Sequence, residues 1–120
     1  MSDVVDLDIL RPKRKSVRLA NKVIDVSMIP CGITFEIDQI VRELMTLNQD
    51  EINKGGTKET RAALDLTIRL CATFAGVNNP EMTEEWFRAN VDATQTREMA
   101  NIIKDALLRS YEGVKAYGKN

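Results

Sequence analysis

The chain has 120 residues, 43% of them hydrophobic and 29% charged, with a net charge of −1, a size that implies one domain able to fold without a disulfide or metal. No apolar run approaches the ~18 residues of a membrane-spanning helix, and the acidic start Met1-Ser2-Asp3-Val4-Val5-Asp6 lacks the apolar core of a secretory signal. Histidine is absent, which removes the commonest general base and the commonest zinc ligand.

Residues 1–15 read as an N-terminal arm. Asp3, Asp6 and Asp8 precede Leu10-Arg11-Pro12 and Lys13-Arg14-Lys15. Pro12 biases Arg11 away from helix. Val4, Val5, Leu7, Ile9 and Leu10 are free to anchor the arm on the body or on a neighbour. The remainder, 16–120, reads as a single domain, with a β-hairpin over 16–29 and a helical body over 34–118.

In the hairpin, Val17 and Leu19 alternate with Ser16, Arg18 and Ala20, and Ile24, Val26 and Met28 with Val23, Asp25 and Ser27, the period-2 signal of half-buried strands. Asn21-Lys22 is the expected reversal, because Asn tolerates positive φ. A two-residue loop there sets Leu19 opposite Ile24, Arg18 opposite Asp25 and Val17 opposite Val26, with apolar pairs on one face and an ion pair on the other.

The segment Ile29-Pro30-Cys31-Gly32-Ile33 then leads into a helix. Thr34 is the expected N-cap, and Ile37, Ile40, Val41, Leu44 and Leu47 follow at helical spacing. This helix should fade through Asn48-Gln49-Asp50 and end by Gly55-Gly56. Thr57 opens a second helix with two apolar stripes. One holds Leu64, Ile68, Cys71, Ala72 and Ala75; the other holds Leu66, Leu70 and Phe74. So wide a face marks the central helix, and Gly76 ends it. Thr83 starts a short helix carrying Trp86, Phe87 and Val91. Asp92-Ala93-Thr94-Gln95 has capping-box spacing and opens a helix over residues 93–116. Met99, Ile102, Ile103, Ala106, Leu107, Ser110, Val114 and Tyr117 are its inward set. The expected class is therefore α+β, mostly α, an N-terminal β-hairpin followed by a bundle of about four helices.

No catalytic set emerges, and neither an enzyme activity, a cofactor nor a metal is expected. Gly55-Gly56-Thr57-Lys58 lacks the glycine spacing of a phosphate loop. Asp3, Asp6 and Asp8 lack the spacing of a calcium loop, and Glu81, Glu84 and Glu85 are explained by the first turn of a helix. Cys31 and Cys71 read as two buried thiols of a reduced protein. Arg11, Lys13, Arg14, Lys15 and Arg18 place five cations within eight residues, but no aromatics interleave with them for base stacking. A solvated or partner-facing arm is the expectation, with neither nucleic acid nor membrane as partner.

The stretch Val5-Asp6-Leu7-Asp8-Ile9-Leu10-Arg11-Pro12-Lys13, then Val17-Arg18-Leu19-Ala20-Asn21-Lys22-Val23-Ile24-Asp25-Val26, then Ile29-Pro30-Cys31-Gly32-Ile33-Thr34-Phe35-Glu36-Ile37-Asp38, resembles small tail assembly chaperones of long-tailed bacteriophages and of prophages in Gram-positive bacteria. These carry a hairpin of pattern V-x-L/I-x-G-K-x-I-x-L ahead of a helical body. The resemblance spans residues 5–44, and the usual turn glycine is Asn21 or Lys22 here. It implies a non-enzymatic protein of the host cytoplasm. Such a protein binds the long helical tape-measure protein before tail tube subunits polymerise, keeps it soluble, and is absent from the finished virion. The implied partners are the tape-measure protein and the tail tube protein; a homo-oligomer is expected because self-association would cover exposed apolar surface until the client arrives. The expected partner-binding residues are Val4, Val5, Leu7, Leu10, Arg11, Lys13, Arg14 and Lys15. The alternatives are a structural tail or head–tail connector subunit and, ranked below it, a nucleic-acid-binding regulator using segment 11–18.

Overall fold

A computed structural model describes residues 4–47, 55 and 57–118, with side chains described as far as Tyr111. After a single 3-10 turn at Leu7–Leu10, strands β1 (Ser16–Leu19) and β2 (Lys22–Asp25) form an antiparallel hairpin. Four helices follow: α1 (Cys31–Met45), α2 (Thr57–Ala75), α3 (Glu84–Asn90) and α4 (Ala93–Gly118). The architecture is α+β and mostly α, as the periodicities imply. None of the described helices is long and apolar enough to cross a membrane.

Helix α2 is central and touches α1, α3 and α4. Its side chains Ile68, Leu70, Cys71, Phe74 and Ala75 are buried against Ile37, Ile40 and Val41 of α1, Phe87 of α3, and Met99, Ile103, Ala106 and Leu107 of α4. The hairpin lays Leu19, Ile24 and Val26 on this core. Each large apolar side chain fully buried here contributes about 1.5–3 kcal/mol. The molecule is elongated, 63 × 33 × 19 Å, so its helices leave more apolar surface uncovered than a sphere would.

Two caps follow the expected chemistry. The Thr83 hydroxyl accepts from the Trp86 amide at 3.2 Å. Asp92 and Gln95 form a reciprocal box, the Gln95 amide donating to Asp92 Oδ1 at 2.8 Å and the Asp92 amide to Gln95 Oε1 at 3.2 Å.

The hairpin register differs from expectation. The pairs are Leu19–Lys22, Arg18–Val23, Val17–Ile24 and Ser16–Asp25. Arg18 therefore does not face Asp25, nor Val17 Val26. The turn is Ala20-Asn21, both at positive φ (48° and 66°), as a mirror-image two-residue hairpin turn requires. A slip of two residues keeps every side chain on its face, so alternation cannot detect it. The far end of the hairpin fixes the register instead. The Val26 amide donates to the Lys15 carbonyl at 2.9 Å. Ser27, 2% exposed, accepts from the Lys15 amide at 2.7 Å and donates to the Lys15 carbonyl at 3.2 Å.

Helix α1 also begins earlier than expected. Pro30, not Thr34, is its N-cap, and the Thr34 hydroxyl donates back to the Pro30 carbonyl at 3.0 Å. Cys31 thus becomes the first helical residue and is exposed rather than buried. Six residues before Ile37, it lies roughly 120° round the helix from the buried stripe. Ser110 is exposed rather than inward, its hydroxyl donating to the Ala106 carbonyl. The side chains of Val114 and Tyr117, and residues 48–50 and Gly56, lie outside the described residues.

Candidate functional site

The arm and its root are the candidate site. Its apolar residues do not pack on the body: Val4, Val5, Leu7, Ile9 and Leu10 are 53–80% exposed, and the 3-10 turn buries none of its residues. The turn is held by two short-range bonds. The Asp8 amide donates to Asp6 Oδ1 at 3.0 Å and the Arg11 amide to the Asp8 carbonyl at 3.0 Å. The Asp6 carboxylate is thereby accounted for as the cap of the turn, whereas Asp8 contributes its backbone amide and carbonyl; Asp3 lies outside the described residues. Arg11, Lys13, Arg14 and Lys15 are exposed.

Lys15 ties the arm to the body through its backbone. The Ser27 clamp takes both its amide and its carbonyl, and the Ser27 amide in turn donates to Asp25 Oδ1 at 2.9 Å. The Ser27 hydroxyl beside Asp25, then the Ser27 amide, and more weakly the charges of Arg14 and Arg11, hold the Asp25 carboxyl below its ordinary range. The arm root therefore gathers cations against one carboxylate on the β2 side of the hairpin. A cavity of about 310 Å³ opens there, lined by Arg11, Asp25, Met28, Phe74, Val77 and Asn78.

On the other side of the hairpin, a shallower groove of about 180 Å³ runs between β1 and α4. Its apolar walls are Val17, Leu19, Met99 and Ile102, and Arg18, Gln95 and Glu98 border it. A third hollow, about 230 Å³, lies between α2 and the start of α4, lined by Leu64, Ile68, Val91 and Thr96 among others.

None of these hollows assembles a nucleophile with a base. Cys71 is buried, its thiol donating to the Thr96 carbonyl at 3.4 Å. Burial pushes that thiol up to about 12, which makes it inert at neutral pH. Glu81 pairs with Lys22 at 3.2 Å and Glu84 lies 4.0 Å from Arg69, so those carboxylates serve the surface of the fold. Among the described residues no group of three or more Cys, Asp or Glu side chains could hold a metal ion.

Further apolar surface lies where the stripes did not point. Phe35 and Met45 of α1 are 79% and 76% exposed, and Leu108 of α4 is 56% exposed. Phe35 sits two residues from Ile37, about 160° round the helix; projecting it on the Ile37–Ile40–Val41 stripe would have revealed it as outward. Of the methionines, Met82 and Met99 are core, while Met28 and Met45 face outward. Near Leu108, the Tyr111 hydroxyl donates to Asp38 Oδ1 at 2.9 Å.

Compared with models of known protein families, with curated proteins and with solved structures, the chain matches none of them.

Proposed function

We propose that this chain is a non-enzymatic tail assembly chaperone of a bacteriophage or prophage of Gram-positive hosts. In this reading it binds the tape-measure protein in the host cytoplasm and keeps it soluble until tail tube subunits enclose it. The observation that carries the reading is the arm: a run of apolar side chains, left in solvent by its own body and followed directly by four cations. Together with the outward Phe35, Met45 and Leu108, it supplies apolar contact surface without any chemistry to go with it. A long helical client offers the matching feature, an apolar stripe that needs cover before assembly. Outward methionines at Met28 and Met45 suit such contacts, because the flexible thioether adapts to varied partners. The resemblance of residues 5–44 to such chaperones supplies the identity of the client.

The test is expression of a candidate tape-measure protein with and without this chain. The expected result is a rise in soluble tape-measure protein and a complex that co-purifies, with the chain missing from mature virions. No gain in solubility, no complex, and recovery of the chain from virions would sink the reading in favour of a structural tail or connector subunit.

A further inference from the structure

The hairpin has an unused edge. β2 is the only neighbour of β1 in the described sheet. The bond from the Val26 amide to the Lys15 carbonyl sets the phase of the ladder: Lys15–Val26, Val17–Ile24 and Leu19–Lys22 are the hydrogen-bonded pairs. The amides and carbonyls of Ser16 and Arg18 therefore point away from β2. Such an edge is a template for another strand. Beside it lies the β1–α4 groove, with Val17, Leu19, Met99 and Ile102 as walls.

We propose that this edge receives the N-terminal arm of a second copy of the chain, which adds to β1 as a third strand with Val5, Leu7 and Ile9 seated in the α4 groove. The proposal does not rest on the chaperone reading but bears on it: an arm seated on a second copy is released for a client only when the copies separate, and in the dimer the outward Phe35, Met45 and Leu108 are the apolar surface left to it.

Three observations select that occupant. First, Val5-Asp6-Leu7-Asp8-Ile9 alternates strictly between apolar and acidic residues, the pattern of a strand with one buried face. In the isolated chain it is held only by one 3-10 turn, and its apolar residues are exposed. Second, the charges match. With Val5, Leu7 and Ile9 in the groove, Asp6 and Asp8 fall on the opposite face of the sheet, the face to which Arg18 belongs by alternation between Val17 and Leu19, at the rim of the groove. Arg18 has no ion pair among the described residues. Third, the chain's own arm leaves in the wrong direction. Lys15 is clamped to Ser27, and Arg11 lines the cavity with Asp25, Met28 and Asn78 on the β2 side. The arm that fills the β1 edge therefore comes from another copy. Each copy carries both arm and edge, so a two-fold arrangement closes with two exchanged arms.

The experiment is sedimentation equilibrium on the full chain, combined with amide hydrogen exchange. The wild type should form dimers, with the Ser16 and Arg18 amides protected. Leu7→Asp, at a residue exposed in the single chain, should leave helix content unchanged, weaken dimerisation at least about tenfold and expose both amides. The double variant Asp6→Lys with Asp8→Lys should weaken dimerisation several-fold, and adding Arg18→Glu should restore it. A wild type that stays monomeric at about 100 μM, a dimer indifferent to Leu7→Asp, or protection of Ser16 and Arg18 within a monomer would each overturn the proposal. The last outcome would mean that the arm folds back on its own edge.

Discussion

Replacing Ser27 with Ala isolates the contact that sets both the hairpin register and the root of the arm. The Ser27 hydroxyl bridges the amide and carbonyl of Lys15 at 2.7 and 3.2 Å, and the residue is 2% exposed. Two net hydrogen bonds at about 0.5–1.5 kcal/mol each give about 1–3 kcal/mol. The Lys15 carbonyl keeps its bond from the Val26 amide, so only the Lys15 amide loses its partner and the lower part of that range applies, about 1–2 kcal/mol. With a urea slope of about 2 kcal/mol/M, the unfolding midpoint should fall by about 0.5–1 M. Amide exchange at Lys15 gives the local readout, with protection in the wild type lost in the variant. A register shifted by two residues would put Ser27 opposite Ser16 and leave Lys15 untouched. An unchanged midpoint, with Lys15 exchanging equally in both proteins, would refute the clamp and the register argued from it.

Other perturbations test the body of the fold. Val26 is fully buried, so Val26→Asp should cost about 2–3 kcal/mol in the same urea titration, through burial of an unpaired charge. A Cβ at Gly76 would meet the Ala72 carbonyl oxygen at 2.8 Å, whereas one at Gly32 meets nothing; Gly76→Ala should cost about 1–2 kcal/mol and Gly32→Ala should be neutral or slightly stabilising. In a thiol-labelling time course, Cys31 should react in the native protein and Cys71 only on unfolding, given their exposure and burial. The carboxyls of Asp25, beside the Ser27 hydroxyl, and of Asp38, bonded first by Arg42 and then by the Tyr111 hydroxyl, sit below the ordinary value of 3.8. The folded state therefore binds fewer protons than the unfolded one near that pH. Their contribution to stability is present above 3.8 and should be lost as pH falls below it. The acid limb of a stability–pH profile checks this, and Asp38→Asn should flatten the part that belongs to Asp38.

The helices were legible because their signals are redundant. In α2 the two apolar stripes, the following glycine and the length agree with one another, and the element forms at Thr57–Ala75. Asp92 and Gln95 were readable as a box because both partners of a capping box must be present at fixed spacing. Where one signal stood alone, it misled. Thr34 has the side chain of a good N-cap, yet its hydroxyl donates to the Pro30 carbonyl instead of accepting from the helix. Cys31, a residue type more often buried than not, is the first residue of this helix and is exposed. In the hairpin, Asn21 takes the positive φ its side chain tolerates, but Ala20 rather than Lys22 shares the turn with it. Nothing in alternation separates the two registers. The turn at Ala20-Asn21 and the pairing of Val26 and Ser27 with Lys15 do, and the latter joins residues more than ten apart in the chain.

The arm was legible as a feature and illegible as a contact. Composition gives its apolar run and its cations, but whether those apolar side chains are buried depends on where the chain emerges from the hairpin. The Ser27 clamp directs that exit along β2, where the available cavity is bordered by Arg11, Asp25 and Asn78 and suits the arm's charged root better than its apolar tip. The tip, Val4 to Leu10, is left in solvent. The groove that would suit it, beside Val17 and Ile102, lies along the opposite edge of the same hairpin. One short hairpin thus separates an apolar segment from the apolar surface its own chain provides. That separation leaves both available for contacts between molecules.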